Sequence, residues 1–179
     1  MRVIAGEFRS RRINGVPGQA TRPTPDRLRE SLFSILAPRI AGAVFLDAYA
    51  GSGSVGIEAL SRGAARAIFL ESNRAAGRVL VENLRSLDVE NRAEVILRPA
   101  LSELAQRAAD IVFLDPPYAL SREYTLCLQA LAQVPPKLVL VQHDVRLKLP
   151  EHFGQLRQTR VLRQGDNAIS FYEPAVSDG

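Results

Sequence analysis

Five short apolar runs that alternate with helical patterns constrain the fold of this 179-residue chain more than any other feature. The runs lie at residues 43–48, 67–71, 95–97, 111–115 and 138–142. Strands that are continuously apolar and are separated by helices indicate a parallel sheet covered on both faces. The predicted fold class is therefore α/β, with a doubly wound sheet.

The C-terminal region departs from this alternation. Residues 156–163 and 168–172 have strand patterns, and they flank Gln164-Gly165-Asp166-Asn167, a turn too short for a crossover helix. These two strands must therefore be antiparallel neighbours. We predict five parallel strands closed by a terminal antiparallel hairpin.

Composition narrows the class of protein. Hydrophobic residues make up 46% of the chain and its single Cys cannot form an internal disulfide, which argues against disorder and against a disulfide-stapled secreted domain. No stretch reaches the roughly 18–20 apolar residues that cross a bilayer, and residues 1–7 lack the apolar core of a signal peptide. We expect a soluble, cytoplasmic protein.

Positive charge is concentrated near the N-terminus. Residues 1–42 hold eight arginines and three acidic residues, whereas the remainder is nearly neutral. A basic arm on a near-neutral body suits contact with phosphates, although a solvated basic face has the same composition. Charge alone leaves both interpretations open.

A glycine-rich turn follows the first apolar run. Gly51-Ser52-Gly53-Ser54-Val55-Gly56 fits G-x-G-x-x-G, a pattern that brings a backbone and a helix N-terminus close to a ligand. Glu71 ends the next strand, where a carboxylate can accept both hydroxyls of a ribose. These features indicate an adenosine-containing ligand, including NAD. Asp47 favours S-adenosylmethionine, because a carboxylate suits an ammonium group and a sulfonium better than a pyrophosphate.

The fourth apolar run ends in Asp115-Pro116-Pro117-Tyr118, at the sheet edge where open α/β folds bind ligands. The prolines stiffen the exit from the strand and supply no N–H, so acceptor oxygens dominate this turn. Such a set can hold an exocyclic amine, which donates to Asp115 and the Pro116 carbonyl while its base stacks on Tyr118. A simpler interpretation is a Pro-rich strand-to-helix turn without function.

These motifs together resemble class I S-adenosylmethionine-dependent methyltransferases that act on exocyclic or amide nitrogen. The sequence further resembles the bacterial 16S rRNA guanine-N2 methyltransferase family, small-subunit methyltransferase D. That resemblance rests on Val3-Ile4-Ala5-Gly6, on residues 22–33 (RPTPDRLRESLF) and on residues 56–63 (GIEALSRG). It extends over nearly the whole chain.

The resemblance implies a Rossmann-like sheet of seven strands in the order 3-2-1-4-5-7-6. It also implies an RNA-contacting N-terminal β-hairpin at residues 1–20 and a methyltransferase domain at residues 21–179. The implied reaction is an in-line SN2 transfer from S-adenosylmethionine to the N2 of a guanine in 16S rRNA, within the small subunit or an assembly intermediate. We expect a monomer that needs no metal.

Site residues follow from the positions of the matching motifs. The implied catalytic residues are Asp115, Pro116, Pro117 and Tyr118. The implied cofactor-binding residues are Asp47, Gly51, Gly53, Glu71, Ser72, Ala100, Leu101, Arg22 and Thr24. The implied RNA-binding residues are Arg2, Arg9, Arg11, Arg12 and Arg27.

Two stretches depart from the family pattern. Arg98-Pro99-Ala100-Leu101 follows the third strand, where many relatives carry a polar side chain that meets the adenine amine, so adenine recognition would rest on the backbone of Ala100 and Leu101. The fifth strand ends Val141-Gln142-His143, where relatives often have an acid.

Different functions stay open. The acceptor could instead be DNA adenine N6 or a protein glutamine amide, although the glutamine case usually shows Asn before Pro-Pro, and the DNA case usually needs a separate target-recognition region. The same motifs could also belong to a silent RNA- or cofactor-binding module or to a nicotinamide oxidoreductase. Cys127, His143 and His152 lack partners at catalytic spacing and are interpreted as structural.

Overall fold

The computed structural model describes residues 1–18 and 23–176. Its helices are α1 (Asp26–Ile40), α2 (Ser54–Ser61), α3 (Arg74–Ser86), α4 (Ala100–Glu103) and α5 (Ser121–Gln133), with 3₁₀ turns at Glu90–Arg92 and Leu104–Gln106. Its strands are β1 (Val44–Ala48), β2 (Arg66–Leu70), β3 (Ala93–Ile96), β4 (Ile111–Leu114), β5 (Leu138–Asp144), β6 (His152–Phe153), β7 (Leu156–Gln164) and β8 (Asn167–Pro174). None of the helices in these ranges has the length and apolar character needed to span a membrane.

The strands form one sheet in the order β3-β2-β1-β4-β5-β8-β7-β6. Strands β1 to β5 are parallel, and β8, β7 and β6 continue the sheet antiparallel to one another. The predicted order is confirmed, because leaving out β6 turns this arrangement into 3-2-1-4-5-7-6. Strand β6 adds an eighth member of two residues, too short to leave a pattern in the sequence.

Strand register brings the ends of three strands to one level. Ala48, the last residue of β1, lies opposite Leu70 on β2 and Leu114 on β4. The chain order reverses at β1, so this edge is the topological switch point where open α/β sheets bind ligands. The residues that follow these ends, including Glu71 and Asp115, are therefore brought together by the sheet.

Alternation along the strands divides the core into two layers. One face buries Leu46, Leu70, Val112 and Val139 beneath α4 and α5. The other buries Phe45, Phe69, Phe113 and Leu140 beneath α1, α2 and α3. This is the two-sided cover that the uninterrupted apolar runs predict.

The three residues interpreted as structural occupy ordinary positions. Cys127 on α5 is buried in the core. His143 is buried with both ring nitrogens in hydrogen bonds, one to the Asp144 carbonyl and one to the Ser170 hydroxyl. His152 is exposed on β6.

Residues 1–13 fold back on themselves but form no regular strands. The antiparallel return consists of one isolated bridge, Arg2 with Arg12, and three backbone hydrogen bonds. The predicted β-hairpin is therefore present as a short antiparallel return, without a pair of regular strands. Further backbone N–H groups of this segment donate to α2: those of Ile4 and Ala5 to the Glu58 carboxylate, and that of Phe8 to the Ser61 hydroxyl.

Buried groups fasten this N-terminal segment to the body of the protein. Val3, Phe8 and Ile13 are buried against the cluster that α2 and α3 form. Arg29, fully buried on α1, donates to the Arg2 carbonyl and lies 3.9 Å from the Glu58 carboxylate. The proposed division into residues 1–20 and 21–179 stays a prediction.

Candidate active site

A cavity of about 920 Å³ opens at the switch point, between the glycine-rich turn and the Asp-Pro-Pro-Tyr turn. Ten of the predicted site residues line it: Thr24, Asp47, Gly51, Glu71, Ser72, Ala100, Asp115, Pro116, Pro117 and Tyr118. Met1, Gly15 and Val16 of the N-terminal segment form part of its wall. The sequence motifs therefore converge on one place.

Two described residues with a predicted cofactor-binding role are not on that wall, and a third cannot be placed. Arg22 lies outside the described residues. Gly53 and Leu101 are described but do not line the cavity. Leu101 is half-buried and packs against the core beneath α5 instead.

The three glycines of the turn differ in how much space surrounds them. A Cβ atom at Gly51 would meet no atom within 4 Å, so this residue leaves space at the cavity wall. A Cβ at Gly53 would lie 2.3 Å from Leu80 Cδ1, and one at Gly56 would lie 2.3 Å from Phe69 Cε1. Gly53 and Gly56 therefore allow α2 to pack closely against its neighbours, and a cofactor contact of the Gly53 backbone stays a prediction.

Glu71 connects the turn to the end of β2. One carboxylate oxygen accepts the Gly51 N–H at 2.7 Å, and the other accepts the Asn73 N–H at 2.8 Å. A carboxylate has about four acceptor positions, so two remain for the hydroxyls of a bound diol. The two backbone bonds hold the carboxylate in place at the cavity wall.

Asp47 lies deeper, at the end of β1. Its carboxylate accepts the Gly56 N–H at 2.9 Å, which orients the first turn of α2. Burial raises the pKa of this carboxyl well above its usual range, and the charges of Asp115 and Glu71 raise it further. A cation in the cavity would reverse this shift by stabilising the carboxylate.

Asp115 faces the cavity from the end of β4. Burial raises the pKa of its carboxyl to about 7. The adjacent Pro116 carbonyl accepts the Tyr124 hydroxyl of α5 at 3.4 Å, which leaves a second lone pair for a ligand. Tyr124 is a site residue that sequence reasoning missed, because nothing in its helical pattern separates it from core residues.

Tyr118 stands at the mouth of the cavity, with its side chain 57% exposed. Its hydroxyl donates to the Asn167 side-chain oxygen at 3.4 Å, at the turn between β7 and β8. An exposed aromatic ring beside acceptor oxygens is available for stacking with a base. The contact also brings the terminal hairpin next to the predicted base site.

Two further contacts at the cavity join segments distant in sequence. The Tyr49 hydroxyl donates to the Glu123 carboxylate on α5 and lies 3.2 Å from Cys127 Sγ. The Thr24 hydroxyl donates to the Gln142 side-chain oxygen at 2.8 Å. Gln142 thus supports the cavity wall at the strand end where relatives often carry an acid.

The interior of the cavity is acidic. Asp47, Glu71, Asp115 and Glu123 line it, and within residues 1–18 and 23–176 the lining includes no Lys, Arg or His. Carboxylates without a basic partner favour a cationic ligand.

The five predicted RNA-binding arginines lie outside the cavity, and all are exposed. Arg2 donates to the Ser10 carbonyl and Arg11 to the Ser86 carbonyl. Among the described residues, none of the five has an acidic side chain within 4.0 Å. Their charges are therefore not neutralised by neighbouring carboxylates.

Residues 1–173 match a protein family described as Conserved hypothetical protein 95. The chain belongs to this family. A Haemophilus influenzae relative named ribosomal RNA small subunit methyltransferase D is 37% identical over 172 residues, 88% of this chain and 87% of that protein. An Escherichia coli K12 relative of the same name is 46% identical over 120 residues, 66% of this chain and 60% of that protein.

Solved structures of similar proteins agree with the fold. The structure of yhhF from Escherichia coli superposes with a TM-score of 0.86 at 36% identity, over 97% of both chains. An RNA methyltransferase from Salinibacter ruber, solved with S-adenosyl-L-homocysteine, superposes with a TM-score of 0.68 at 15% identity, over 88% of this chain and 98% of that one. The predicted class I methyltransferase fold is confirmed.

Proposed function

We propose that the protein is an S-adenosylmethionine-dependent methyltransferase that methylates the exocyclic N2 of a guanine in 16S rRNA. The observation that carries this proposal is the set of acceptors at Asp115 and Pro116, which lies beside the exposed Tyr118 ring at the mouth of an acidic cavity. The family relatives named small subunit methyltransferase D support the rRNA substrate.

The residues of the cavity suit S-adenosylmethionine. The four lining carboxylates favour a ligand that carries a sulfonium and an ammonium group, and the Glu71 carboxylate has acceptor positions left for a ribose diol. Gly51 leaves space at the wall, and Ala100 lines the same cavity, so its backbone would meet the adenine of a bound cofactor. NAD fits less well, because its pyrophosphate would lie among carboxylates with no basic side chain on the described wall.

S-adenosylmethionine, when bound, supplies an electrophilic methyl group for in-line SN2 transfer. Asp115 and the Pro116 carbonyl would accept the two N2 hydrogens of the guanine, which favours the pyramidal nitrogen needed for attack. Tyr124 holds the Pro116 carbonyl, and Tyr118 would stack on the base. A carboxyl with a pKa of about 7 can then take up the proton that the methylated amine releases.

The exposed arginines of the N-terminal segment would contact the phosphates of the RNA. We propose that the substrate is the small ribosomal subunit or an assembly intermediate, and that the enzyme works as a cytoplasmic monomer. DNA adenine and protein glutamine amides are the competing acceptors.

A methyl-transfer assay tests this function directly. The purified protein and labelled S-adenosylmethionine are incubated with small subunits, and separately with naked 16S rRNA, from a strain that lacks this gene. Duplex DNA and a glutamine-containing ribosomal protein serve as competing acceptors. We expect one labelled N2-methylguanine in 16S rRNA, at a position that mass mapping finds unmodified in the deletion strain. A fully methylated rRNA from that strain would contradict the proposal, and absence of transfer to any acceptor would indicate a silent binding module.

A further inference from the structure

Strand β7 carries three exposed arginines, Arg157, Arg160 and Arg163. Several other exposed arginines of the described chain have acidic partners, such as Arg66 with Glu94 and Arg85 with Glu90. Within the described residues, the three β7 side chains form neither a hydrogen bond nor an ion pair. Their charge is therefore available to an external anion.

The outer edge of β7 is largely uncovered by the sheet. Strand β8 pairs with β7 from Leu156 to Gln164, whereas β6 pairs only with Leu156 and Arg157 on the other side. None of the nine residues of β7 is acidic. The nearest carboxylates in register or in the turn are Glu173, which pairs with Arg39, and Asp166.

The arginines extend along the strand from the active site outwards and flank its open edge on both faces of the sheet. Arg157 and Arg160 lie opposite Glu173 and Phe171 on one face, whereas Arg163 lies opposite Ala168 on the other. Arg163 precedes the turn at which Asn167 accepts the Tyr118 hydroxyl. From Arg163 back to Arg157 the strand spans roughly 20 Å, at about 3.3 Å per residue. A nucleic acid strand places one phosphate per about 3.4 Å of duplex axis, so a contact of this length can reach several phosphates.

Each of the two groups of arginines belongs to a part of the chain that reaches the cavity. The N-terminal segment contributes Met1, Gly15 and Val16 to one side of the wall. The β7–β8 turn contacts Tyr118 on the other side. An RNA that reaches Tyr118 from the N-terminal arginines would therefore continue onto β7.

We propose that Arg157, Arg160 and Arg163, which flank the open edge of β7 on both faces of the sheet, form a second phosphate-binding surface. This surface holds the substrate RNA on the side of the base site opposite the N-terminal segment. The proposal rests on the proposed function, because it takes the same RNA as partner. Guanidinium groups suit phosphate through bidentate hydrogen bonds. The competing explanation is that these charges only protect an open sheet edge from pairing with another chain.

The test compares two double variants with the same loss of charge. Arg160→Gln/Arg163→Gln removes two arginines of the surface. The control, Arg66→Gln/Lys137→Gln, removes two cations at the amino ends of β2 and β5, where they pair with Glu94 and Asp110. Affinity for transcribed 16S rRNA is measured over a series of KCl concentrations, together with affinity for S-adenosylmethionine and the melting temperature.

We expect the surface variant to lose about tenfold or more in RNA affinity at 0.1 M salt. Its salt slope should fall by about 1.4–1.8, since each phosphate contact contributes about 0.7–0.9. The control should retain the wild-type slope, and cofactor affinity should be unchanged in both. Arg160→Lys/Arg163→Lys keeps the charge and should restore most of the slope.

A slope equal to that of the control would overturn the proposal, and so would self-association of the surface variant with unchanged RNA affinity, which would indicate edge protection. Failure of this proposal can be distinguished from failure of the proposed function. Wild-type protein that methylates 16S rRNA while the surface variant binds normally would refute only the second surface. Loss of RNA affinity in a protein that methylates no rRNA would refute only the enzymatic assignment.

Discussion

The interior of the cavity and the surface around its mouth have opposite charge. Inside, four carboxylates line the wall without a basic side chain among the described residues. Outside, exposed arginines without acidic partners lie on the N-terminal segment and on β7. A phosphate is attracted to the outer surface and repelled from the interior, whereas a sulfonium is favoured inside. Under the proposed function, this difference would keep the RNA backbone outside while a single base enters.

Asp115→Ala should produce the largest loss, because it removes the side-chain acceptor for the target amine. We expect methyl transfer to fall by about 10²–10³-fold, while the dissociation constant for S-adenosylmethionine stays within about twofold. Asp115→Asn should lose less, since its amide oxygen still accepts a hydrogen bond. Single-turnover kinetics and equilibrium cofactor binding measure the two effects. The exposed Glu82→Ala on α3 is the control, and equal losses of binding and transfer in Asp115→Ala would contradict the assigned role.

Neutralising the N-terminal arginines should weaken RNA binding and leave cofactor binding intact. Changing Arg2, Arg9, Arg11 and Arg12 to Gln should weaken binding of 16S rRNA by about 10²-fold and reduce the salt slope by about 3, with cofactor affinity unchanged. Filter binding at several salt concentrations measures both quantities. Arg9→Gln/Arg12→Gln alone separates charge from folding, because neither side chain forms a hydrogen bond or ion pair in the described structure, unlike Arg2 and Arg11. An unchanged slope would make the segment a solvated face.

Local patterns predicted the parts of the site that lie at strand ends. The apolar runs located β1, β2 and β4, and Asp47, Glu71 and Asp115 lie at or directly after their ends. Parallel strands in register then bring these carboxylates together without further information. For this reason the ligand class could be predicted from spacing, whereas the order of the strands in the sheet was implied by the family resemblance.

Contacts between distant segments could not be predicted in this way. Tyr49 and Glu123 are separated by 74 residues, and Thr24 and Gln142 by 118. The anchoring of the N-terminal segment is of the same kind, because Glu58, more than 50 residues away, accepts the backbone N–H groups of Ile4 and Ala5. Periodicity describes which face of an element is buried, but it does not identify the polar partner that a tertiary fold brings to it.

The pH dependence of methyl transfer tests the role of the Asp115 carboxylate. Burial raises the pKa of Asp115 to about 7, so the carboxylate that accepts the amine forms only as the pH rises through 7. We expect kcat/KM to increase about tenfold per pH unit below 7 and to level off above it. Asp115→Asn should flatten this profile.

The same shift has the opposite effect on stability. The folded protein binds the Asp115 proton more tightly than the unfolded chain, whose ordinary carboxyl pKa is about 3.9. The contribution of Asp115 to the free energy of unfolding should therefore be complete below about pH 4 and be lost as the pH rises through 7. Thermal melts of wild type and Asp115→Asn from pH 4 to 8 measure it. A difference between the two proteins that is independent of pH would contradict the shift.

The smallest expected effect is on cofactor affinity, from loss of the Tyr49 hydroxyl at the cavity wall. Tyr49 has a left-handed backbone with φ of +63°, which is unfavourable for an aromatic residue, and its hydroxyl ties the glycine-rich turn to Glu123 on α5. Tyr49→Phe keeps the ring but removes the hydroxyl, so the turn should relax and cofactor affinity should fall by about fivefold, which is about 1 kcal/mol. Tyr172→Phe is the matched control, because it removes a hydroxyl bonded to the Pro150 carbonyl outside the cavity. Calorimetric titration with S-adenosylmethionine and thermal melts should show a loss of melting temperature in both variants, and a loss of affinity in Tyr49→Phe alone. If the two variants bind the cofactor equally well, the left-handed turn is held by the packing of the ring, and the acidic interior keeps its shape without the link to α5.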